Sequence, residues 1–427
     1  MRFGIILALV WLVAPIAHAE EGSGLGSDLG SDPAPITLDQ VIIKVLERNP
    51  QLGINDFEAQ AAAARIRQSQ QRTPFEVKLE LENLVGSGNY KGVDQLETTL
   101  SLAKVLEPAD TVTERSNLAR QQQSLMGNEQ ASKRLDLLAK AAEQFVHVVV
   151  DQHRLKIAED HLALVQHTYE LVSQRVSAGR SHVAEQRRLA IDLARAEIEL
   201  EHAEHELSTS RLKLAANWGE TQVQFGNAEA DLFQLPLVKP FEHLKMLLEN
   251  NPDLIRFATQ ERLSQAQLRL AQSRRAPGLT LSGGIRHFND PNDAALVFSV
   301  SMPFGASARA KPQTEEMQYL SQSQPLRYEQ QRLALYTSLY EIYQELLHAR
   351  TAYEALSQRI IPEAQQAATD YEQGYQTGRF SLLELNEAQS TLLEAQLERV
   401  MAAANYHRLK TEIERLTGAA LHSGVQP

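Results

Sequence analysis

Hydrophobic residues recur at alternating intervals of three and four in two long stretches of the chain. Spacing of this kind, sustained over about four heptads, predicts α-helices that pack side by side along their length. The later stretch has Leu385, Ala388, Leu392, Ala395, Arg399, Ala402, Tyr406, Leu409, Ile413 and Leu416 at these positions, and the earlier one has Leu189, Leu193, Ala196, Leu200, Ala203, Leu207 and Leu214. The frequent alanines indicate helices that approach closely.

In four shorter segments the hydrophobic period changes to two, which predicts β-strands. These segments are Glu76–Glu82, Leu96–Ala103, Leu279–Arg286 and Leu296–Met302. We expect strands about 8–11 residues long, the length that crosses an outer membrane when tilted. The alternative is a pair of hairpins that pack on a soluble core. Because the first segment carries three carboxylates and a lysine on one face, we favour strands that border a water-filled lumen.

Each coiled-coil stretch follows a short break in the helical pattern. The breaks are Arg175–Val183 and Tyr375–Leu383, with Gly179 and Gly378 at equivalent places 199 residues apart. Glycine supplies the left-handed geometry that ends a helix, and a serine two or three residues later can cap the next one. Each half of the chain therefore predicts a helical hairpin with a tight tip.

The pattern divides the chain into two structural repeats with short flanking segments. The predicted divisions are a signal peptide (1–19), a flexible leader (20–36), a first repeat (37–219), an irregular belt between the repeats (220–239), a second repeat (240–418) and a tail (419–427). Each repeat contains a helix, two strands and a helical hairpin. Ala109 to about Ser177 is expected to be one helix, with Gly127 as its only candidate interruption. Its counterpart in the second repeat is expected to break at Pro312, Pro325 and Pro362.

The amino terminus has the features of a secretory signal. Arg2 is followed by an apolar core, and Ala17-His18-Ala19 fits the small-x-small cleavage rule. The chain contains no cysteine, which rules out disulfides, thiolate metal sites and a lipid anchor on a new amino-terminal cysteine. The net charge of −12 and the lack of a basic tract argue against nucleic acid as a partner. We therefore expect an exported protein, cleaved after Ala19 and not lipidated.

Four strands are too few to close a barrel. Open sheet edges are not tolerated in hydrocarbon, and the smallest single-chain barrels have eight strands. If the strands span the membrane, one chain must share its barrel with copies of itself.

The signal peptide, the duplicated helix–hairpin–helix repeats, the two strands per repeat and the paired Gly-Arg tips together resemble the TolC-like outer-membrane efflux family. Within it, Glu80–Asn83 and Glu97–Leu102 are most similar to the CzcC-type members, which serve heavy-metal efflux. The resemblance implies a mainly α protein that forms a homotrimer, with a 12-stranded outer-membrane β-barrel and a periplasmic α-helical barrel. It also implies a periplasmic adaptor and an inner-membrane RND-type pump, in a Gram-negative cell envelope.

The same resemblance assigns roles to the tips. Tyr375, Glu384 and Glu387 would lie where the periplasmic entrance narrows, and rings of acids favour cations there. For the two acids, the alternative is that they are exposed positions at a helix start, where acids are favourable anyway. The adaptor would dock on the hairpin tips, at Gly179, Arg180, Ser181, Val183, Gly378, Arg379, Ser381 and Leu382.

No enzyme motif, cofactor site or metal site stands out. The chain has no phosphate-binding loop, nucleophile elbow or His-Glu-x-x-His pair. Glu201-His202-Ala203-Glu204-His205 could present two histidines on one helical face, but a solvated polar face explains it more simply. The remaining alternative function is that of a periplasmic coiled-coil adaptor without a barrel. Such proteins normally have one hairpin flanked by β domains, whereas this chain has two hairpins with strands at their far ends.

Overall fold

A computed structural model describes residues 34–418. The predicted signal peptide, most of the leader and the tail lie outside these residues. The elements, in chain order, are α1 (Leu38–Arg48), α2 (Pro50–Ser69), β1 (Phe75–Glu82), β2 (Glu97–Leu106), α3 (Ala109–Ser177), α4 (Val183–Ala216), α5 (Phe241–Leu248), α6 (Pro252–Ser273), β3 (Leu279–Phe288), β4 (Asp293–Ser301), α7 (Ala306–Ala355), α8 (Ile361–Gln376) and α9 (Leu382–Thr417), with a π-helical turn at Leu356–Ile360 between α7 and α8. No helix within this part of the chain is long and apolar enough to cross a membrane.

The four strands form one antiparallel sheet in the order β1-β2-β3-β4, so each repeat contributes one hairpin. Because partners in an antiparallel ladder face the same side, the register separates two faces. Val77 lies opposite Leu102, and Ile285 opposite Leu296, on an apolar face whose side chains are exposed. The other face is polar. There the guanidinium of Arg286 lies 2.7 Å from a carboxylate oxygen of Glu82 and 2.8 Å from one of Glu97, and it joins three strands.

The helices lie side by side in the same order as the strands. Beside the sheet, α2 packs on α3, α3 on α6, and α6 on α7; towards the tips, α4 packs on α3, α3 on α9, and α9 on α8. First-repeat elements β1, α2 and α4 therefore form one side of the chain. Second-repeat elements β4, α7 and α8 form the other.

Helix α3 is one unbroken helix, as predicted, and runs through Gly127. Helix α7 also runs through Pro312 and Pro325, so the breaks predicted at these two prolines are wrong. Each proline removes one backbone hydrogen bond, but packing on the neighbouring helices holds the helix together. The interruption lies at Leu356–Ile360, where the backbone makes one π turn directly before Pro362.

The predicted seam of α9 shifts by one position near its middle. Val400 and Ala403 are buried there, instead of Arg399 and Ala402. Arg399 turns aside, and its guanidinium lies 4.3 Å from the ring centroid of Phe233. The shift begins after Ala395, which packs with Leu356 of the π turn, and the predicted seam is regained at Tyr406.

The segment between α4 and α5 crosses the helices as the predicted belt. Gln152 of α3 exchanges two hydrogen bonds with the backbone of Ala228, and the Tyr353 hydroxyl donates to the carbonyl of Phe233. The end of the predicted leader is also held here. Ile36 is buried and pairs with Ala228 in a parallel bridge, because its apolar side chain completes the core beneath the belt.

Candidate functional site: the hairpin tips

Both tips turn on a glycine in the left-handed region. The φ angles are +68° at Gly179 and +76° at Gly378. At each tip the next residue donates its N–H back to the preceding helix, from Arg180 to the carbonyl of Arg175 at 2.8 Å and from Arg379 to that of Gly374 at 2.8 Å. These bonds satisfy carbonyls that a helix end leaves free, which explains why both turns are tight.

The two helices that leave the tips are capped differently. At the second tip, Ser381 and Glu384 form a reciprocal capping box. At the first tip the expected serine cap is wrong. His182 caps α4, and its Nδ1 accepts a hydrogen bond from the N–H of Ala184 at 3.1 Å. Ser181 lies one residue too early for this and turns towards the second tip.

Arg175 joins the two tips. Its Nη1 donates to the carbonyl oxygens of Tyr375 and Gln376, at 2.8 and 3.0 Å, which are carbonyls at the end of α8. Its Nε donates to the hydroxyl of Ser181 at 3.2 Å, and its guanidinium carbon lies 4.7 Å from the ring centroid of Tyr375. A cation at the carboxyl end of a helix is also electrostatically favourable.

Tyr375 lies between the tips rather than on a free surface, and only 3% of it is exposed. Its hydroxyl donates to a carboxylate oxygen of Glu185 at 3.2 Å and lies 3.4 Å from the Ser181 hydroxyl. Burial raises the pKa of Tyr375; the Ser181 hydrogen bond lowers it, and the nearby Glu185 charge raises it further. The phenol is therefore a stable donor at neutral pH, and it links α8 to α4.

The two predicted entrance acids have different surroundings. Oε2 of Glu384 accepts from both the N–H and the hydroxyl of Ser381, each at 2.8 Å. These hydrogen bonds, the backbone one first, lower the pKa of Glu384. Glu387 is exposed, and its carboxylate has no hydrogen-bond or ionic partner among residues 34–418. Within one chain, then, Glu384 serves its own helix, and only Glu387 is free.

Most of the predicted docking residues are exposed, and two are not. Gly179, Arg180, Val183, Gly378, Arg379 and Ser381 are exposed. Ser181 is half-buried in the contact with Arg175. Leu382 is 5% exposed and packs with Leu189, Val172 and Leu385, so within one chain its side chain is not on the surface. It is an apolar residue at the first position of α9, on the face that meets the other hairpin.

Two contacts of Phe380 at the second tip were not predicted from the sequence. The Phe380 ring lies 4.6 Å from that of Tyr371, and a Cβ built on Gly374 would lie 2.0 Å from Phe380 Cδ2. Arg175 and Glu185, which hold Tyr375, were also not predicted as a pair with it. The positions equivalent to Arg175 and Tyr375 in the other repeat are Gly374 and Val176. The arginine and the tyrosine thus each occur in only one repeat, so a comparison of the two tip sequences could have singled them out.

The histidine-rich segment of α4 lies on an exposed face. His205 Nε2 lies 3.5 Å from a carboxylate oxygen of Glu201, one turn away, and both side chains are largely in solvent. Across residues 34–418, no group of three or more His, Cys, Asp or Glu side chains is arranged to hold a metal ion.

Comparisons with known proteins agree with the overall fold. The model of the outer membrane efflux protein family matches residues 41–220 and 243–419. The cobalt-zinc-cadmium resistance protein CzcC of Cupriavidus metallidurans is 26% identical over 324 residues, which is 75% of this chain and 78% of that protein. A crystal structure of CusC has a TM-score of 0.73 at 17% identity, covering 91% of this chain and 93% of that one. The open state of the Neisseria gonorrhoeae MtrE outer membrane channel has a TM-score of 0.72 at 16% identity, covering 91% of each chain.

Proposed function

The chain belongs to the outer membrane efflux protein family and is an outer-membrane efflux channel; from this premise we propose that three copies close into one duct, fed by an inner-membrane RND-type pump through a periplasmic adaptor. The observation that carries the proposal is the sheet. It has one exposed apolar face, one charged face and two unpaired edges, β1 and β4. Hydrocarbon does not tolerate open edges, so β1 of one copy must pair with β4 of the next. Three copies give twelve strands, an even number within the range of outer-membrane barrels.

The helices support the same closure. On α7, five large side chains at strict seven-residue intervals are exposed, whereas Leu335, Leu339, Ile342 and Leu346 are buried against the neighbouring helices. The exposed ones are Tyr319, Leu326, Leu333, Tyr340 and Leu347. A stripe with this spacing is typical of a helix that packs against another along its length. Helix α7 lies at one side of the chain, so the neighbouring copy is the partner that would cover it.

In the duct, the tips would form the periplasmic entrance. The bonds from Arg175 to the end of α8, and from Tyr375 to Glu185, would hold the two hairpins of each chain together in a closed state. Glu387, whose carboxylate has no partner within the described part of its chain, would supply a ring of three carboxylates. Glu384 keeps its capping role. Gly179, Arg180, Val183, Gly378, Arg379 and Ser381 remain the exposed tip residues on which an adaptor would dock.

Heavy-metal cations are the proposed substrates, because the relative CzcC is a cobalt-zinc-cadmium resistance protein. Signal cleavage after Ala19, without lipidation, completes the proposed route to the outer membrane. A deletion strain challenged with cobalt, zinc, cadmium, copper and a panel of drugs tests the substrate class. If the strain loses resistance to metals alone, metal efflux is supported; if it loses resistance to drugs alone, metal efflux is contradicted.

The assembly is tested by the mass of the purified protein in detergent. We expect a stable trimer with full β content, because a single chain leaves two sheet edges open. A stable monomer with the same β content would contradict the barrel.

A further inference from the structure

A cavity of about 510 Å³ lies beneath the belt, between α1, α3 and α9, and belt residues 229–236 form one side of it. One of its lining residues, Lys410, is roughly 42 Å along α9 from Leu382, at 1.5 Å per residue. The cavity is therefore remote from the hairpin tips. Its volume is typical of sites that bind small molecules.

The helix wall of the cavity is apolar. Ala142, Phe145 and Val149 of α3 line it, and each is at most 3% exposed. Leu235 of the belt adds a further apolar side chain. The apolar part of a ligand would leave water on entering this space, which the hydrophobic effect favours.

The charged groups of the lining are mostly acidic. Asp39, Glu229 and Asp231 are exposed, and Glu414 is half-buried. Lys410 is the only lysine or arginine that lines the cavity within the described part of the chain, and its Nζ lies 2.5 Å from Oε1 of Glu414. Neither Glu229 nor Asp231 has a cationic partner among residues 34–418. Four carboxylates beside one ammonium group leave an excess of negative charge.

His407, which also lines the cavity, does not cancel this charge. Its Nε2 lies 2.9 Å from the carbonyl oxygen of Leu232, and because a carbonyl can only accept, this nitrogen is the donor. Burial lowers the pKa of His407, so the ring is uncharged at neutral pH.

The belt side of the cavity is fixed at both ends. Before it, Gln152 exchanges two hydrogen bonds with the backbone of Ala228. At its far end the Tyr406 hydroxyl donates a hydrogen bond to the carbonyl of Pro236. A ligand would therefore enter a space whose walls are already in place, which lowers the entropy cost of binding.

We propose that this cavity binds an organic cation in which an ammonium group is attached to a compact apolar body. The apolar body would pack on α3, and the ammonium group would lie against Glu229 and Asp231. A metal ion fits less well, because across residues 34–418 no group of three or more acidic or histidine side chains is arranged to hold one. The ligand would contact α1, α3, α9 and the belt together, so it would stabilise the native state. Binding at this site does not depend on the trimeric duct.

Three molecules with the same apolar body test the need for positive charge. They are adamantan-1-amine, 1-adamantanol and adamantane-1-carboxylate, each titrated into the purified protein in detergent by isothermal calorimetry at neutral pH. The amine should bind about tenfold more tightly than the alcohol, and the carboxylate more weakly than either. Equal binding of the amine and the carboxylate overturns the proposal. Binding of zinc chloride without any binding of the amine also overturns it, since that would indicate a metal site.

Glu229→Gln combined with Asp231→Asn tests the location. Both side chains are exposed, so the fold should persist, and the affinity for adamantan-1-amine should fall about tenfold while that for 1-adamantanol stays the same. Glu201→Gln with Glu204→Gln is the matched control, because it removes the same charge from an exposed face of α4. This control should bind the amine as the unchanged protein does. If the two double variants bind the amine equally well, the ligand does not lie in this cavity and the proposal is wrong.

Discussion

The hydroxyl of Tyr375 donates a hydrogen bond to Glu185, a residue 190 positions earlier in the chain, across a distance of 3.2 Å. The donor lies at the end of α8 and the acceptor in the first turn of α4. This bond therefore connects the two repeats at their tips, where we propose that the channel entrance lies.

Tyr375→Phe tests this connection. The change removes the hydroxyl and should cost about 0.5–1.5 kcal/mol of the contact between the tips. We expect reconstituted channels to spend more time in a conductive state, measured as single-channel open probability. Tyr353→Phe is the control, since it removes the same group from a belt contact with the Phe233 carbonyl. Equal effects of the two variants would mean that the Tyr375 bond has no special role at the entrance.

Gly378→Val tests the tip backbone. A β-branched residue at a φ of +76° should cost about 1–2 kcal/mol. We expect export to fall with little loss of protein, as measured by metal resistance and by the amount of trimer. Asparagine tolerates the left-handed region better, so Gly378→Asn should retain most activity. If both variants export normally, the geometry of this turn does not matter for docking.

Glu387→Gln and Glu384→Gln separate the two entrance acids. A ring of three Glu387 carboxylates within a Debye length of about 8 Å should make the channel cation-selective. Neutralising Glu387 should therefore move the reversal potential, in a salt gradient, towards that of a non-selective pore. Glu384→Gln should have little effect, because glutamine also serves in a capping box. The assignment is wrong if Glu384→Gln has the larger effect.

His407 predicts a pH dependence of stability. Its Nε2 lies 2.9 Å from the carbonyl oxygen of Leu232 in the belt. Burial lowers the pKa of His407, the Leu232 hydrogen bond raises it in part, and the Lys410 charge lowers it further. In the unfolded chain His407 has the ordinary histidine pKa of about 6.5, so below that pH it binds a proton more readily than in the native state. The contribution of neutral His407 to the stability of the native state is therefore fully present above pH 6.5 and is lost as the pH falls below it.

We therefore expect the thermal unfolding midpoint to fall between pH 8 and pH 5, and His407→Gln to reduce that fall while keeping a donor for Leu232. His205→Gln, at a largely exposed position, is the control. A variant with an unchanged pH profile would show that protons bound elsewhere dominate.

The channel fold follows from features that the sequence carries locally. Periods of two and of 3.5 residues are set by which face of an element is apolar, so the strands and long helices could be located from the pattern alone. The positive φ of Gly179 and Gly378 also followed from residue type, since glycine adopts it without strain. Counting four strands was sufficient to predict that the chain shares its barrel.

Other features depend on neighbours that are distant in sequence, so only the tertiary structure decided them. Helix α7 continues through Pro312 and Pro325 because adjacent helices support it, although the residues themselves favour a break. Arg399 occupies a seam position in the pattern, but Val400 is buried in its place and Arg399 lies over Phe233 of the belt. The contact of Tyr375 with Arg175 and Glu185 joins three helices at their ends. Its geometry depends on how two hairpins lie against each other, which no local pattern in the sequence encodes.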